Sequence, residues 1–270
     1  MEPPLLPPDP VIKKVSLIGC GRAGFHLGKW LHEKGLHLEQ VYNRSAGPAQ
    51  ELCNLTGARF TDQLSDLLPG SDLYLIAVSD SAIEGLAAQL HHLHPELDRV
   101  AHISGSTSSQ VLASNFGKSG VFYPLQSFSP NRSLAYEEIS VCVHSENIPF
   151  ENRLFDLATK MSARPYRLDD AHRAVLHLAA VFANNFTNFC YLASHEILED
   201  AQLPFDLLRP LIAETAAKVQ DQLPEAMQTG PARRGDWNTL LKQEKYLEKF
   251  PEFKFLYSAI SNAIQKQFNS

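Results

Sequence analysis

The segment HLAAVFANNFTNF, residues 177–189, places a histidine and three asparagines among apolar residues. Asparagine is disfavoured inside helices because its amide competes for backbone hydrogen bonds, so helix stability does not explain them. On a helix with about 100° per residue, four polar residues fall within about 20° of one line along the axis: His177, Asn184, Asn188 and His195. Histidine can exchange a proton near neutral pH, and an amide can orient a polar substrate. We therefore predict a ligand-facing line with His177 and Asn184 as catalytic residues and Asn188 as a substrate contact.

This polar line has two alternative explanations. It could face solvent, or it could make satisfied hydrogen bonds to another helix. Solvent is the weaker alternative because exposed helix faces usually carry Glu, Lys and Arg. A second line on the same helix is apolar and contains Leu178, Phe182, Phe186 and Phe189. We expect this apolar line to face the protein core.

Three glycines with the spacing G-x-G-x-x-G lie in LIGCGRAG, residues 17–24. In a dinucleotide-binding loop the first glycine allows a tight turn, the second lets a pyrophosphate approach the backbone, and the third lets helix and strand pack closely. The motif follows a predicted strand and opens a predicted helix, whose N-terminus attracts phosphate. A bare structural turn is the alternative. The predicted cofactor contacts in this loop are Gly19, Gly21, Arg22, Ala23 and Gly24.

The second predicted strand ends in Asn43-Arg44-Ser45, at the distance from the glycine loop where NAD-binding proteins usually carry an acid for the ribose hydroxyls. No acid is present there. Arg44 can pair with a ribose 2'-phosphate, and Asn43 and Ser45 can donate hydrogen bonds to it. These three residues predict NADP(H) as the cofactor, with a solvated Arg44 as the alternative.

Further polar residues follow two later strands, in AVSDSA (77–82) and HISGSTSS (102–109). Ligands bind outside the carboxyl ends of parallel strands, so we expect both loops to line the same cleft. Ordinary loop capping is the alternative, and GSTSS lacks the second glycine of the hydrolase G-x-S-x-G motif. The predicted cofactor contacts here are Val78, Ser79 and Asp80, and the predicted residues on the nicotinamide and substrate side are His102, Ser104 and Ser106.

Residues 12–168 contain the elements that must position these side chains. Apolar runs such as VSLIG (15–19) and DLYLIAV (72–78) alternate with helical patterns such as residues 82–93. This alternation predicts an α/β Rossmann-type, doubly wound, mostly parallel sheet covered on both faces. We interpret residues 12–168 as the NADP-binding domain and the proline-rich residues 1–11 as a disordered tail.

Residues 169–270 show helical patterns only, which predicts an all-helical second domain. Asp169-Asp170 can cap a helix that continues to about Glu199. Pro204 suits the first turn of the next helix, and Pro210 is expected to kink that helix.

The composition restricts the function classes. The 270 residues carry a formal net charge of -6, which argues against nucleic acid or an anionic membrane as the main partner. No apolar run approaches the ~20 residues that cross a bilayer, and the N-terminus lacks the pattern of a signal peptide. The four dispersed cysteines suit reduced thiols in the cytoplasm better than disulfides or a metal site.

Several motifs taken together resemble one protein family: GCGRAG, YNRS, IAVSDSAI, HISGS, YPLQSFS, HLAAVFANNFTN and TGPARRGD. They resemble the Rossmann-like proteins with a C-terminal domain of unknown function, which are distant relatives of pyrroline-5-carboxylate reductase and the β-hydroxyacid dehydrogenases. The resemblance implies an oxidoreductase-like fold with a C-terminal domain of the 6-phosphogluconate dehydrogenase type, commonly a homodimer.

One departure from these relatives concerns the proton donor. β-Hydroxyacid dehydrogenases carry a lysine in the pattern K-x-x-N-N, and here the position before Asn184-Asn185 holds Val181. An aliphatic side chain cannot donate a proton, so that mechanism does not transfer intact. His177 lies one turn earlier and could supply the proton instead.

These observations favour an NADP(H)-dependent oxidoreductase that moves a hydride to or from a carbonyl or imine carbon of a small polar metabolite. The alternative is a non-catalytic NADP(H)-binding sensor or regulatory dimer, and a third, weaker one is group-transfer chemistry in the same fold. In TGPARRGD, Asp236 is expected to cap a helix, while the turn alone does not explain Arg233 and Arg234. We expect one of these arginines to bind a substrate carboxylate or a cofactor phosphate across a homodimer, with a solvated pair as the alternative.

Overall fold

The computed structural model describes residues 11–129, 132 and 134–268. The predicted tail, residues 1–11, lies outside the described residues apart from Val11. The chain forms two compact units, Met1–Asn184 and Asn185–Ser270. The last strand ends at Arg167, and the division between the units lies in the helical segment that follows it.

The first unit contains one sheet, to which the described residues contribute eight strands in the order β3-β2-β1-β4-β5-β6-β7-β8. The strands are β1 (Lys14–Ile18), β2 (His37–Tyr42), β3 (Arg59–Thr61), β4 (Leu73–Ile76), β5 (Arg99–His102), β6 (Lys118–Pro124), β7 (Ser140–His144) and β8 (Arg164–Arg167). Strands β1 to β6 are parallel, β7 is antiparallel to β6, and β8 is parallel to β7. The predicted doubly wound, mostly parallel fold is confirmed. The two edge strands, β3 and β8, were not predicted from the sequence.

The helices of the first unit connect these strands on both faces of the sheet. They are α1 (Arg22–Glu33), α2 (Gly47–Thr56), α3 (Asp80–Leu93), α4 (Gln110–Ala113), α5 (Ile148–Lys160) and α6 (Asp170–Ala180). Alternate residues of a strand face opposite sides, so Leu17 packs in one apolar cluster and Ile18 in the other. Burial on both faces explains why the parallel strands have continuous apolar sequences.

The segment after α6 is π-helical over Val181–Phe186 and continues as α7 (Thr187–Asp200). Asp169 caps α6 as predicted, because its carboxylate accepts the N–H of His172. A π-helix pairs residues i and i+5, which adds one residue to the turn. The helix beyond it is therefore rotated by about 100° relative to a regular α-helix. The predicted polar line, drawn with a constant 100° per residue, is broken at this point.

The second unit consists of helices over its described residues. They are α7, α8 (Arg209–Asp221), α9 (Pro224–Met227), α10 (Pro231–Arg234), α11 (Trp237–Tyr246) and α12 (Pro251–Phe268), with short 3-10 helices at Phe205–Leu208 and Leu247–Lys249. The predicted kink at Pro210 was wrong. Pro210 lies in the first turn of α8, where the missing N–H would have had no intrahelical partner. None of the helices in the described parts of the chain could cross a membrane.

The predicted apolar line on the α6–α7 segment crosses the same π-helical turn, and its residues do not face a core in the single chain. Exposure along this line ranges from 44% for Phe189 to 62% for Phe182, with Leu178 and Phe186 between them. The prediction of a core-facing line was therefore wrong. A helix can place its apolar side at the surface of one chain when a further element or a second copy covers it.

Candidate functional site

The glycine loop between β1 and α1 is shaped by two of its three glycines. Gly19 has a φ of 102°, and a Cβ added there would lie 2.6 Å from the carbonyl oxygen of Ala77. A Cβ on Gly24 would overlap the carbonyl oxygen of Gly19. Gly21 differs from both, because its φ is -73° and an added Cβ would meet no atom within 4 Å. The packing of the protein itself therefore requires glycine at positions 19 and 24 and does not require it at position 21.

The N-terminus of α1 is open to an anion. Gly21 is the N-cap residue, so no side chain caps the helix, and its first turn contains no acidic residue. Arg22 is exposed and Ala23 is half-buried at the helix start. Free N–H groups and the positive end of the helix dipole are the features that bind phosphates in dinucleotide sites.

The Asn43-Arg44-Ser45 segment is tied to the glycine loop through Asn43. The Asn43 Oδ1 atom accepts the Cys20 N–H at 2.9 Å, and Asn43 Nδ2 donates to the Ser45 carbonyl at 2.8 Å. Asn43 thus positions the two loops relative to each other in addition to its predicted contact role. Arg44 is exposed and makes no hydrogen bond or ion pair with any residue that the structure describes.

The carboxyl ends of β1 and β4 meet beside the glycine loop, which is the switch point of the sheet. A Cβ on Gly19 would lie 2.8 Å from Cγ1 of Val78, so Val78 contacts the loop directly. Ser79 is the N-cap residue of α3. The Asp80 carboxylate accepts a hydrogen bond from Ser106 Oγ at 2.5 Å, which links the β4 end to the loop after β5.

The loop after β5 is held by its own hydroxyl groups. Ser104 is buried, and its Oγ donates to Thr107 Oγ1 at 2.9 Å while it accepts the N–H groups of Ser106 and Thr107. His102 is fully buried, and burial, together with the charge of Arg173, lowers the pKa of its imidazole to about 4. His102 therefore shapes the loop as a neutral ring. We expected it to line the nicotinamide side, but a fully buried ring does not face a ligand. Ser104 is engaged in the same way, whereas Ser106 is exposed.

An ion pair at the start of α6 clamps this loop. The Asp170 carboxylate accepts hydrogen bonds from Ser108 Oγ at 2.6 Å and the Ser109 N–H at 2.8 Å. Burial would raise the pKa of the Asp170 carboxyl, but these hydrogen bonds and the Arg173 guanidinium lower that pKa to about 2. Arg173 is 1% exposed, lies 2.7 Å from Asp170 Oδ1 and donates to the Thr107 carbonyl. The Asp170–Arg173 pair thereby fixes the position of the loop beneath α6.

His177 lies against the same loop, one turn after Arg173. Its Nδ1 atom is 3.2 Å from the hydroxyl of Tyr123, which stands near the carboxyl end of β6. A Cβ on Gly105 would lie 2.6 Å from His177 Nδ1 and 2.7 Å from Tyr123 Cζ. A glycine is therefore required where the imidazole and the phenol ring meet the loop. His177 thus lies at the loop that Ser106 joins to the β4 end, in the same unit as the glycine loop.

The predicted residues further along the helix lie in different surroundings. Asn184 is exposed, within the π-helical turn and at the end of the first unit. Asn188 and His195 belong to the second unit, where they line a hollow of about 550 Å³ together with Tyr191 and Arg209. His195 packs on the ring of Phe205, with a centroid distance of 5.5 Å.

The two arginines of TGPARRGD have separate surroundings in the second unit. Arg233 Nη1 donates to the carbonyl of Phe268 at 3.3 Å, and its guanidinium lies 4.6 Å from the centroid of the Phe268 ring. Arg234 is exposed, and its guanidinium makes no hydrogen bond or ion pair with another residue in the described ranges. The Asp236 carboxylate accepts the Thr239 N–H, as expected for the cap of α11.

Four residues of the loop network were not predicted from the sequence: Gly105, Tyr123, Arg173, and Asp170 in its role as a clamp. One signal was available for part of it. Asp170, Arg173 and His177 follow the spacing i, i+3, i+7, which puts them on one face of α6. Nothing in the sequence places Tyr123 opposite His177, because the two are 54 residues apart.

Comparison with known proteins identifies the family. Residues 139–264 match the domain described as domain of unknown function DUF2520. Among solved structures, the chain is similar to the "putative NADP oxidoreductase BF3122" from Bacteroides fragilis, with 34% identity, a TM-score of 0.88, and coverage of 94% of this chain and 98% of that chain. No curated protein is significantly similar to the chain in sequence.

Two more distant structures share the fold. Protein TM1727 from Thermotoga maritima is 21% identical, with a TM-score of 0.70 and coverage of 93% of this chain and 97% of that chain. An imine reductase from Myxococcus stipitatus in complex with NADP+ is 17% identical, with a TM-score of 0.66 and coverage of 95% and 93%. The chain belongs to the family of Rossmann-like, oxidoreductase-related proteins represented by the Bacteroides fragilis protein, with a DUF2520 domain in its C-terminal half.

Proposed function

We propose that the protein is an NADP(H)-dependent oxidoreductase that transfers a hydride to or from a carbonyl or imine carbon of a small polar metabolite. The observation that carries the proposal is Gly21. Its backbone conformation and its open surroundings give no internal reason for a glycine. Close approach of a ligand to the backbone is a reason that remains, and a pyrophosphate at the start of α1 fits it.

Arg44 supports the choice of NADP(H) over NAD(H). Arg44 is exposed, and the neighbouring Asn43 ties this segment to the glycine loop. A planar guanidinium suits a 2'-phosphate, while the segment offers no acid for a 2'-hydroxyl. The name of the Bacteroides fragilis protein and the NADP+ complex of the imine reductase point to the same cofactor.

The chemistry divides between cofactor and chain. A bound nicotinamide donates or accepts the hydride. The residues of the chain position the substrate and move one proton, and we assign that proton to His177 because Val181 cannot carry it. In this proposal Asn184 orients the substrate oxygen or nitrogen, and Ser106 is a further substrate contact. Loss of such a proton carrier usually lowers turnover by about 10²-fold or more, which is the effect we expect for His177→Asn.

We also propose that the protein is a homodimer formed through the helical unit, in the cytoplasm. The exposed side chains of Phe186 and Phe189 in that unit support a second copy, because large exposed apolar surfaces are rare in monomers. The four cysteines are free, and three of them are buried, which supports a reducing compartment.

A second candidate function is a non-catalytic NADP(H)-binding sensor or regulatory dimer. The aliphatic Val181 at the position of the usual lysine favours it. The two candidates share the cofactor and differ in turnover. Tight NADPH binding without oxidation of NADPH by any member of a panel of ketoacids, aldehydes and cyclic imines would favour the sensor.

Calorimetric titration with NADPH and NADH tests the shared part of the proposal. We expect NADPH to bind at least tenfold more tightly than NADH, which corresponds to ~1.4 kcal/mol. Arg44→Ala should remove most of this difference. Arg164→Ala, an exposed arginine on the opposite edge strand, is the matched control and should leave it unchanged. Equal affinities for the two dinucleotides, or no binding of either, would refute the proposal.

A further inference from the structure

The Tyr123–His177 pair leaves only one ring nitrogen of His177 open. Nδ1 lies 3.2 Å from the Tyr123 hydroxyl, and the backbone of Gly105 covers the same side of the ring. The two rings are set edge to face, with centroids 6.0 Å apart and an interplanar angle of 68°. Nε2 lies on the far side of the imidazole and has no hydrogen-bond partner in the described parts of the chain. Nε2 is therefore the atom that can reach a ligand.

Proton exchange at Nε2 places a requirement on Nδ1. When Nε2 gives up its proton, the neutral ring must keep its hydrogen on Nδ1, and that N–H needs an acceptor. The Tyr123 oxygen is the acceptor within hydrogen-bond distance among the described residues. Burial raises the pKa of the Tyr123 phenol to about 12, so the phenol stays protonated and accepts through a neutral oxygen.

We propose that Tyr123 is a positioning residue that accepts the Nδ1–H of His177, and that Nε2 of His177 is therefore the atom that exchanges the proton with the substrate. This inference rests on the proposed function. In the reducing direction, a proton leaves Nε2 of the imidazolium for the substrate oxygen or nitrogen that gains electrons with the hydride. His177 becomes a neutral ring with hydrogen on Nδ1, and solvent then restores the Nε2 proton. In the oxidising direction each transfer is reversed.

Gly105 also restricts the orientation of the His177 ring. Any side chain at this position would collide with Nδ1 and with the Tyr123 ring at once. The loop that carries Gly105 is held by the Asp170 clamp and by the Ser106–Asp80 hydrogen bond. The fixed loop therefore prevents the imidazole from turning its Nδ1 side toward a ligand.

The tautomer of His177 can be measured without a substrate. In protein labelled with nitrogen-15, long-range nitrogen–proton correlation spectra, recorded over a series of pH values, distinguish Nδ1–H from Nε2–H in the neutral ring. The His177 signals are identified by their loss in His177→Asn. We expect the Nδ1–H form in the wild-type protein and a shift to the Nε2–H form, which free histidine prefers, in Tyr123→Phe.

A matched control exists in the same unit. The hydroxyl of Tyr136 lies 3.5 Å from Nδ1 of His26, so Tyr136→Phe also removes a hydroxyl from a tyrosine–histidine pair. This variant should leave the His177 signals unchanged. Gly105→Ala should displace the ring and lose the Nδ1–H form as Tyr123→Phe does.

Two results would overturn the inference: a wild-type His177 with hydrogen on Nε2, or an unchanged tautomer in a folded Tyr123→Phe protein. Failure of the proposed function is recognised separately by titration with NADPH. We expect Tyr123→Phe to bind NADPH as the wild-type protein does, because the hydroxyl that it removes bonds to His177 and not to the glycine loop. A protein with the Nδ1–H tautomer and no affinity for NADPH would refute the cofactor and leave the Tyr123–His177 relationship in place.

Discussion

The carbonyl oxygen of Gly19 lies so close to Gly24 that a Cβ added to Gly24 would overlap it. The contact places the first turn of α1 against the end of β1, so a side chain at position 24 would have to displace backbone. Gly21, midway between them, is free of any such contact. Substitutions at the two positions can therefore separate the stability of the protein from its affinity for a ligand.

We predict opposite effects for Gly24→Ala and Gly21→Ala. The methyl group at 24 must displace backbone, so the free energy of unfolding should fall by about 1–3 kcal/mol, the usual range for overpacking. The methyl group at 21 enters open space, so stability should fall by no more than about 1 kcal/mol, the cost of alanine relative to glycine at an N-cap. The affinity for NADPH should nevertheless fall at least tenfold, because the methyl group stands where the pyrophosphate approaches. Chemical denaturation and calorimetry measure the two effects, and wild-type affinity in Gly21→Ala would place the pyrophosphate elsewhere.

The sheet was predictable because its buried parallel strands are continuous apolar runs. The edge strands β3 and β8 were not, since they are three and four residues long and contain Arg59, Arg164 and Arg167. Strands of this kind form because a neighbouring strand offers a hydrogen-bonding edge, and their own sequences do not predict a strand. The glycine loop was predictable for the opposite reason, because the function of each glycine is local.

The site around His177 was predictable only in part. His177 itself stood out as a polar residue in an apolar helix. Its alignment with Asn188 depended on a regular α-helix, and the π-helical turn at Val181–Phe186 changes the angle between them. The hydrogen bond to Tyr123 depends on β6 lying beside β5, which is a property of the sheet order and not of either segment.

The Asp170–Arg173 pair predicts a pH-dependent contribution to stability. The pKa of Asp170 is lowered in the folded protein, from 3.8 to about 2. The stabilisation is therefore complete above pH 3.8 and is lost as the pH falls toward about 2. Asp170→Asn should lower the free energy of unfolding at neutral pH by about 2 kcal/mol, a figure reduced for the 29% exposure of the carboxylate. The difference between variant and wild type should shrink across this acidic range.

Asp206→Asn is the control for this prediction. Asp206 and Arg209 form an ion pair with the same i, i+3 spacing, but their side chains are 77% and 70% exposed. Removing that exposed pair should cost less than about 0.5 kcal/mol at any pH. Denaturation of both variants between pH 2 and 7 compares them. Equal losses in the two variants, or a loss in Asp170→Asn that does not depend on pH, would contradict the assigned role of the clamp.

Arg233 and Arg234 predict different consequences of the same substitution. Arg233 holds the end of α12 through the carbonyl and the ring of Phe268, so Arg233→Ala should lower stability by about 1 kcal/mol and leave ligand affinity unchanged. Arg234 is exposed, so Arg234→Ala should leave stability within about 0.5 kcal/mol. If its guanidinium completes a site across the homodimer, Arg234→Ala should weaken the binding of an anionic ligand at least tenfold.

Sedimentation velocity and calorimetry together test the role of Arg234. Sedimentation at micromolar concentration should give a dimer for the wild-type protein and for both arginine variants, because neither arginine is one of the exposed apolar residues that we propose as part of the interface. NADPH probes a phosphate contact, and small mono- and dicarboxylates added to the NADPH complex probe a substrate contact. A weaker response to one of these ligands in Arg234→Ala, with Arg233→Ala unchanged, identifies which anion the guanidinium holds. A monomeric wild-type protein, or wild-type affinity of Arg234→Ala for every one of these anions, would show that Arg234 is a solvated surface residue.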